Sequence, residues 1–533
     1  MSRTPHLVRS SFLVFFIFGL DKITGFVKLL VTTRLFGTGP EMDAFATANQ
    51  LPELLLALLA AGALSAAFIP VYSGYLTQAR GREAASLAST VFTLTMIVMG
   101  AACLIAIAAA PWLIRVLLAP QFPAETQHLS AQMMLIFLLA ALLISVSGVF
   151  GSLLHSHQHF LTPALGRVLI DSVQIVGLFA LVPLWGVYGM AWGSVLGALL
   201  TVLVQIHALA RNRIRLRLQI DLRLQGVREI IRLMGPRIVT LGAFQAADLV
   251  FIRLASTLPA GSIAAFYYAM LAMLSMPKSL FAAAVSQVIF PTMAEQHNAG
   301  EGRQLRLTVT QGLRATWLLL LPAAVGLLAL GRPAVSFLFE RGAFGPESSA
   351  LVFLLMAIFS LRLLGEASYD VLALTFFARH NTHVPMWATL GWMIVNVGLS
   401  LLLVGPFGIA GLAWATSIAA VALGSAMLAL NLRVGGVALP LLGAALVRAL
   451  VGSLGMYAVV LLLHQLRLPA PLFILAGASC GGLAFFGIYL ALGGREVLSA
   501  LKIVGRALRL ASCLWLPTFS LGTSSHNSSQ SHR

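Results

Sequence analysis

The chain alternates between long apolar runs and short polar segments, and each apolar run has the length of a membrane span. We count about fourteen such runs between Ser10 and Leu492, and a helix needs about 20 apolar residues to cross the hydrocarbon core. Turn-forming residues separate many of them, as at 37–40, at 406–408 between spans eleven and twelve, and at 469–471. Because backbone groups in lipid must pair within their own segment, the pattern predicts an all-α polytopic membrane protein with about fourteen transmembrane helices.

The basic residues are concentrated in every second loop, which orients the predicted spans. The most basic loop contains seven arginines: Arg211, Arg213, Arg215, Arg217, Arg223, Arg228 and Arg232. Short cationic loops are retained in the cytoplasm, so this loop is predicted to lie inside. Arg3 and Arg9 precede the first span, and Arg495 to Arg509 follow an even number of spans. Both termini are therefore predicted to be cytoplasmic.

A weak internal repeat divides the chain into two lobes. Spans one and two and spans seven and eight each form a hairpin with a Gly/Pro outer turn. Each returning span has a mid-helix proline, Pro52 or Pro277, and a later proline, Pro70 or Pro291. Repeats of the same sense predict two six-helix lobes related by a pseudo-two-fold axis along the membrane normal. The predicted units are an N-terminal lobe (1–210), a basic linker (211–233), a C-terminal lobe (234–435), spans thirteen and fourteen (436–494) and a cytoplasmic tail (495–533).

Composition excludes several classes of protein. The chain is 59% hydrophobic and only 10% charged, and its mean hydropathy is +0.94, so lipid must be its solvent. The net charge of +17 does not indicate nucleic-acid binding, because the cations occupy short loops between spans. The three cysteines show no metal or redox spacing. We expect a monomer without nucleic acid, metal or cofactor.

No catalytic motif is present, so an enzyme is not predicted. The three histidines at 155, 157 and 159 invite a metal site, but alternate positions on a short turn seldom close a tetrahedral one. A solvated turn on the inner side is the favoured interpretation.

Ionisable residues at membrane depth are the best candidates for function, because they are costly to bury. In the first hairpin these are Lys22 and Lys28 of span one with Asp43 and Glu53 of span two. One interpretation is structural: Lys22 pairs with Asp21 or Asp43, and Lys28 extends to the interface. The other is a cationic cavity wall for an anionic headgroup, in which Asp43 sets the orientation or charge state of the lysines.

The second lobe offers a parallel set of candidates. Gln245, Asp248 and Lys278 are predicted to face the cavity. Glu366 and Asp370 are four residues apart on one helix face and form a candidate ion-coupling pair. Arg362 could instead simply neutralise Glu366, and Arg253 lies near the outer end of its span, where an arginine is ordinary.

Five segments in order resemble the MurJ (MviN) family of lipid II flippases, within the multidrug/oligosaccharidyl-lipid/polysaccharide exporter superfamily. They are residues 22–28 (KITGFVK, containing Gly25), 36–45 (FG followed by DAF), 52–70 (ending GALSAAFIP), 339–344 (FERGAF) and 377–385 (FARHNTHVP). The chain departs from the family pattern where Lys22 and Lys28 replace arginines and where Leu56 and Ala57 replace an arginine pair. It departs again in span eight, where 268–275 (YAMLAMLS) lacks the acidic residue and arginine of many relatives.

The resemblance implies a function that the residues alone do not. It implies an inward-open, two-lobed cavity that accepts a polyprenyl-pyrophosphate saccharide and rocks to release it outside, in the bacterial inner membrane, for peptidoglycan synthesis. The last two spans would form an apolar groove for the lipid tail. Membrane lipids and cell-wall synthesis proteins are the other expected partners. Two alternatives remain open: an exporter of another substrate, such as a cationic drug, and a membrane scaffold that no longer transports.

Overall fold

The computed structural model describes residues 4–59 and 63–494, and throughout these ranges the chain is helical with short connections. The first half contains eight helices: α1 (Thr4–Phe36), α2 (Pro40–Leu59), α3 (Ala63–Thr77), α4 (Gly81–Trp112), α5 (Ala124–Ser156), α6 (Leu161–Ala180), the single turn α7 (Val182–Trp185) and α8 (Val187–Arg211). The second half contains α9 (Gln225–Ala255), α10 (Ser262–Ala269), α11 (Ala283–Asn298), α12 (Gly302–Phe339), α13 (Pro346–Ala378), α14 (His383–Arg433), α15 (Leu439–His464) and α16 (Ala470–Ala491). The predicted all-α polytopic class is confirmed.

Ten of these helices are long and apolar enough to cross a membrane, so the chain is a multi-pass membrane protein. The count of about fourteen spans stays a prediction, and the difference has structural reasons. The second predicted span comprises α2 and α3, with residues 60–62 outside the described residues, and the eighth is divided between α10 and α11 by two π-helical segments. The eleventh and twelfth are merged in α14, where Gly408 alone has non-helical angles (φ 56°, ψ −133°). Glycine adopts a positive φ at little steric cost, and Gly408 marks the turn that the sequence placed at 406–408.

The prolines of the predicted repeat lie within the two interrupted spans. Pro52 is inside α2 and Pro70 inside α3. Pro277 lies between two π-helical segments, Met270–Ser275 and Lys278–Ala282, and Pro291 is inside α11. Proline removes a helical hydrogen bond, and π-helical turns often occur at functional sites. The returning helix of the second hairpin is therefore irregular around Pro277, whereas Pro52 and Pro70 lie within α-helical segments.

Four clusters of buried apolar side chains hold the bundle together. One packs the first half around α3, α4, α5 and α8, and two pack the second half. The largest joins the halves, with residues from α1, α2 and α5 packed against residues from α10, α12 and α13. The halves are thus packed together both by this cluster and by Val227 and Ile230 of α9, which join the cluster of the first half.

Candidate functional site

A cavity of about 380 Å³ lies between the two halves. The first half contributes residues of α1, α2, α5, α6 and α8, and the second half contributes α10 and the π-helical segments that follow it. Its charged and polar lining residues are Asp21, Lys22, Lys28, Thr32, Asn49, Glu53, Asp171, Gln174, Ser194, Tyr267, Tyr268, Ser275 and Ser279. Gly25 of α1 and Pro52 of α2 also line it, as do Ser275 and Ser279 of the π-helical segments, so the return helix of each hairpin faces the cavity.

Lys28 is held by a network across the cavity wall. Its Nζ lies 2.5 Å from Asp171 Oδ1 and 3.0 Å from Gln174 Oε1, both on α6. The side-chain amide of Gln174 donates in turn to the hydroxyl of Ser194 on α8. Lys28 therefore does not extend to the interface, and its charge is compensated inside the cavity. Charge-assisted contacts of this kind fix the position of an ammonium group closely.

The pairing of Lys28 with Asp171 was missed from the sequence. Asp171 lies 143 residues away in α6, within a helix apolar enough to be a candidate span. The signal was available, because an aspartate inside an apolar span is itself costly. The choice of Lys28 as its partner depends on the packing of α1 against α6.

Lys22 has a local partner, as the structural interpretation proposed. Its Nζ lies 3.1 Å from Asp21 Oδ2 of the preceding residue. Glu53 accepts a 2.5 Å hydrogen bond from the side chain of Asn49, one turn earlier on α2. The cavity thus contains two lysines and three carboxylates, and the expected cationic wall is neutralised before any ligand enters.

Asp43 lies outside the cavity and contacts neither lysine, so it does not orient them. Its carboxylate accepts hydrogen bonds from the backbone amides of Gly261 (2.6 Å) and Ala264 (2.8 Å) at the start of α10. Unpaired amides and the helix dipole make a helix N-terminus a favourable place for a carboxylate. Asp43 therefore joins α2 to α10 across the two halves.

Further contacts seal the same end of the cavity, which is the predicted outer side. Tyr268 donates to the carbonyl of Gly37 (3.0 Å), and the amide of Ala343 donates to the carbonyl of Arg34 (2.9 Å). At Gly37 and Gly261, both with positive φ, a Cβ atom would overlap a carbonyl oxygen of the opposite half. Main-chain contacts this close leave no passage, so the cavity is closed toward the predicted outside.

We expect Asp43→Ala to weaken this closure. Loss of an N-terminal cap costs about 0.5–2 kcal/mol. This corresponds to an increase of up to roughly thirtyfold in the fraction of molecules whose cavity is open toward the predicted outside. In a variant whose three cysteines are replaced by serine, a cysteine at Ser279 should react faster with an impermeant maleimide added outside. Glu41→Ala removes an exposed carboxylate from the same turn and is the matched control. Equal labelling rates in the two variants would contradict this role of Asp43.

The predicted coupling residues form a compact charge cluster that does not line the cavity. Lys278 Nζ lies 2.9 Å from Glu366 Oε2 and 3.1 Å from Asp370 Oδ2, and Arg362 Nε lies 2.6 Å from Glu366 Oε1. Two cations thus balance two carboxylates. Arg362 does neutralise Glu366, but Lys278 shares that carboxylate and also binds Asp370. Lys278 connects the π-helical segment after Pro277 to α13.

The other candidates of the second half lie on α9 and do not line the cavity. Gln245 accepts a hydrogen bond from Gln50 of α2 (3.3 Å). Asp248 interacts electrostatically with Arg362 and Glu366 and so belongs to the surroundings of the charge cluster. Arg253 donates to the carbonyl oxygens of Val116 and Leu117, a further bridge between the halves. Gln245 and Arg253 therefore connect the two halves, and none of the three residues lines the cavity.

The histidine turn between α5 and α6 is less solvated than expected. His157 Nε2 lies 3.1 Å from the hydroxyl of Tyr72 on α3. Burial, with the nearby charge of His159, lowers the pKa of His157 below its usual value, so the neutral ring is favoured at pH 7. His157 therefore fixes the turn against α3.

The bundle of apolar helices and the polar cavity between its halves, closed at one end, define a multi-pass membrane protein with the architecture of a transporter. Comparison with known proteins specifies the family. The sequence model of the family described as "Lipid II flippase MurJ" matches residues 32–475. Because this match covers more than half of the chain, the protein belongs to the MurJ lipid II flippase family.

Similar sequences agree with this assignment. A probable lipid II flippase MurJ of Bdellovibrio bacteriovorus is 28% identical over 498 residues, which cover 92% of this chain and 88% of the relative. The lipid II flippase MurJ of Burkholderia cenocepacia is 27% identical over 452 residues, covering 81% and 86%.

Solved structures show the same fold. A lipid II flippase MurJ in an inward closed conformation superposes with a TM-score of 0.78 at 23% identity, over 92% of this chain and all of the other. An inward-facing MATE-family multidrug resistance transporter of the MOP superfamily superposes at 0.64 and 16% identity, over 76% of this chain and 93% of the other. The fold is therefore that of MurJ and its MOP superfamily neighbours.

Proposed function

We propose that the protein flips a lipid-linked cell-wall precursor, lipid II or a related polyprenyl-pyrophosphate saccharide, across the bacterial inner membrane. The movement runs from the inner to the outer leaflet by alternating access and supplies peptidoglycan synthesis. The observation that carries the proposal is Lys28, whose partly exposed ammonium group lies in the wall of a cavity closed toward the predicted outside. A transporter of this kind needs no bond-making chemistry, so the proposal includes no enzymatic step.

The contacts of Lys28 suggest how an anionic headgroup is accepted and released. At rest Asp171 and Gln174 compensate the ammonium group, so an empty cavity carries no isolated buried charge. A pyrophosphate entering from the inner side would replace Asp171 as the partner of Lys28. After the halves rock and the cavity opens outside, the return of Asp171 would displace the headgroup.

The lipid tail is assigned to a groove on the second half. This groove has a volume of about 230 Å³ and is lined mainly by apolar residues of α12, α13, α14 and α15, among them Leu321, Leu361, Leu428 and Leu446. An isoprenoid chain carries no polar group that would need a partner there. This groove includes α15 but no residue of α16, so it differs from the groove expected between the last two spans.

Coupling to an ion gradient is assigned to Glu366 and Asp370. Lys278 and Arg362 already compensate the charges of these two carboxylates. A cation could therefore bind only if Lys278 moved away. Lys278 belongs to an irregular helix segment of the hairpin that lines the cavity, so movement of that hairpin would change the pairing.

Complementation provides the direct test of this function. The gene should restore growth and cell shape to a bacterium depleted of its own lipid II flippase, and the purified protein in vesicles should expose a labelled polyprenyl-pyrophosphate saccharide to an external enzyme. Failure in both assays, with the protein present in the membrane, would reject the proposal.

An exporter of cations is the second candidate, because the cavity has one more carboxylate than it has lysines. Glu53, whose contact is with the neutral side chain of Asn49, is the residue that would bind a cationic drug. Vesicles loaded with a fluorescent lipophilic cation distinguish the two functions. The exporter would be favoured if the wild-type protein exports the cation but does not flip the lipid, and if Glu53→Gln loses the export.

We also propose that both termini lie in the cytoplasm. The basic residues that carry this prediction, Arg3 and Arg495 to Arg509, lie outside the described residues. Alkaline phosphatase fused after Arg509 should be inactive and a fluorescent protein at the same site bright. Active phosphatase would contradict an even number of spans.

Lys28→Arg should retain flipping and strengthen headgroup binding by about threefold or more. A guanidinium offers two parallel donors to phosphate oxygens, whereas an ammonium is a compact point charge. Affinity for a water-soluble pyrophosphate headgroup and the flipping rate in vesicles are the two measurements. If well-folded Lys28→Arg loses flipping, the site would be tuned to lysine, and a substrate without a pyrophosphate would become the better interpretation.

A further inference from the structure

The segment 212–224 between α8 and α9, called the linker below, lies extended against the first turns of α4. Three of its backbone amides donate to hydroxyl groups of that helix: Arg217 to Ser89 (3.1 Å), Asp221 to Thr90 (3.2 Å) and Gln219 to Thr93 (3.2 Å). An extended chain without a neighbouring strand must satisfy its amides elsewhere. The linker is thus seated on α4 through its backbone, which leaves its side chains available for other contacts.

The apolar side chains of the linker are partly buried in its first half and exposed in its second half. Ile214 and Leu216 pack against the core of the first half, whereas Leu218, Ile220 and Leu222 are 80%, 52% and 55% exposed. Three large apolar side chains in alternate positions thus face away from the protein. A row of this kind on the surface of a membrane protein is favourable where it meets lipid.

The position of the linker along α4 places it at the membrane interface. With the π-helical turn that continues it, this helix has 38 residues from Gly81 to Leu118, about 57 Å at 1.5 Å per residue. The hydrocarbon core is only about 30 Å thick, so an equal overhang at each end would leave about the first nine residues of α4, up to Ser89, beyond the core on the predicted inner side.

A cavity of about 690 Å³ lies where the linker leaves α8. Apolar residues of α5 and α8 line it on one side, including Phe150, Ile206 and Leu209, and Arg213 and Arg215 line it on the other. Ile206 is 47% exposed on the outer surface of the bundle, so the cavity adjoins the lipid-facing side. An apolar wall beside two cations has the chemistry of a phospholipid with a negatively charged headgroup.

The two arginines have no carboxylate partner in the part of the chain that the structure describes, and both are exposed. Arg213 also has a φ of +56°, a left-handed conformation that costs about 1–2 kcal/mol for a residue other than glycine. Glycine is usual at this position after a helix, yet here an arginine side chain occupies it. The charge at the mouth of the cavity is thus uncompensated by protein.

We propose that the linker and its cavity bind an anionic phospholipid of the inner leaflet. Its phosphate lies between Arg213 and Arg215, and an acyl chain lies against Phe150 and Ile206. Leu218, Ile220 and Leu222 insert among the neighbouring lipids and hold the linker at the interface. This site is separate from the cavity between the halves, and its occupancy does not depend on the proposed flippase activity.

The test is equilibrium binding to the full-length protein in detergent. The probe is phosphatidylglycerol with a fluorescent acyl chain, compared with phosphatidylcholine carrying the same chains. Arg213→Gln/Arg215→Gln should lower the affinity for phosphatidylglycerol roughly 30-fold, because each arginine near an anionic lipid contributes about 1 kcal/mol. Arg303→Gln/Arg433→Gln removes two exposed arginines from the same predicted side of the second half and should change the affinity less than threefold.

Several results would overturn the proposal. Equal losses in the two double variants would show diffuse charge attraction, and no loss in either would show that the arginines do not bind the lipid. If Arg213→Gln/Arg215→Gln instead abolished retention of a polyglutamate peptide and left phosphatidylglycerol binding intact, the occupant would be an acidic protein segment. Should that variant fail to fold, the wild-type protein still decides: its affinity for phosphatidylglycerol must fall when salt is raised about tenfold, and salt-independent binding contradicts the site.

Discussion

Lys28→Ala combined with Asp171→Asn should leave a protein that accumulates normally in the membrane but flips its substrate roughly 30-fold more slowly, or worse. Lys28 is the cavity cation that the structure holds in a defined position, 2.5 Å from Asp171. Loss of a buried, hydrogen-bonded charge contact costs about 2–5 kcal/mol, and 2 kcal/mol corresponds to roughly 30-fold in affinity. Flipping of a labelled polyprenyl-pyrophosphate saccharide in vesicles, normalised to reconstituted protein, measures the effect.

The double variant is needed because Lys28→Ala alone would have two consequences. It removes the proposed headgroup contact, and it also leaves the carboxylate of Asp171 partly buried without its cation, which is destabilising in itself. Asp171→Asn restores neutrality, since the asparagine needs no counter-charge. Asp171→Asn with Lys28 intact is the comparison variant: it keeps the ammonium group and should bind the headgroup at least as tightly as the wild type, while its release outside should slow. Normal flipping by the double variant would remove Lys28 from the mechanism.

Features that depend on local sequence were predicted well. The helical class follows from the apolar runs, and the irregular return helix of the second hairpin follows from Pro277 because proline cannot continue a regular hydrogen-bond ladder. The outer turn at Gly408 was predicted for the same kind of reason. Each of these features requires knowledge of only a few neighbouring residues.

Features that depend on packing between distant helices were not predicted. Asp43 was placed with the lysines because all three lie in the first hairpin, but its partners are amides of Gly261 and Ala264, more than 200 residues away. Asp171 was overlooked as the partner of Lys28 for a similar reason. The unpaired amides at a helix N-terminus belong to the backbone and leave no signature in side-chain chemistry. Burial of a charge can be read from a sequence, whereas the identity of its partner requires the fold.

The same limit applies to the second half. Gln245, Asp248 and Lys278 were predicted to face the cavity because they are polar residues within apolar spans. In the structure Lys278 satisfies two carboxylates of α13, and Gln245 bonds to α2. A polar residue in a span must find a partner, but a partner inside the protein satisfies that need as well as a ligand does.

Lys278→Met should destabilise the protein strongly. This substitution leaves Glu366 and Asp370 with Arg362 as the single remaining cation of the cluster. Breaking a buried ion pair by removing one partner costs about 3–5 kcal/mol, a large share of the stability of a typical domain. The amount of folded protein extracted from the membrane, and its thermal unfolding temperature in detergent, should both fall. Unchanged stability would show that solvent already compensates the cluster.

Lys278→Met/Asp370→Asn separates stability from ion coupling. The pair of substitutions removes one charge of each sign, and therefore leaves Arg362 balanced by Glu366, which lies 2.6 Å away. We expect the stability lost in Lys278→Met to be largely recovered, because replacing both members of a pair is far less costly than removing one. If Glu366 and Asp370 couple transport to an ion, the recovered protein should flip lipid slowly and should no longer respond to an imposed ion gradient. A recovered protein that flips at the wild-type rate, with its gradient dependence intact, would instead make the cluster a structural joint between the π-helical segment and α13.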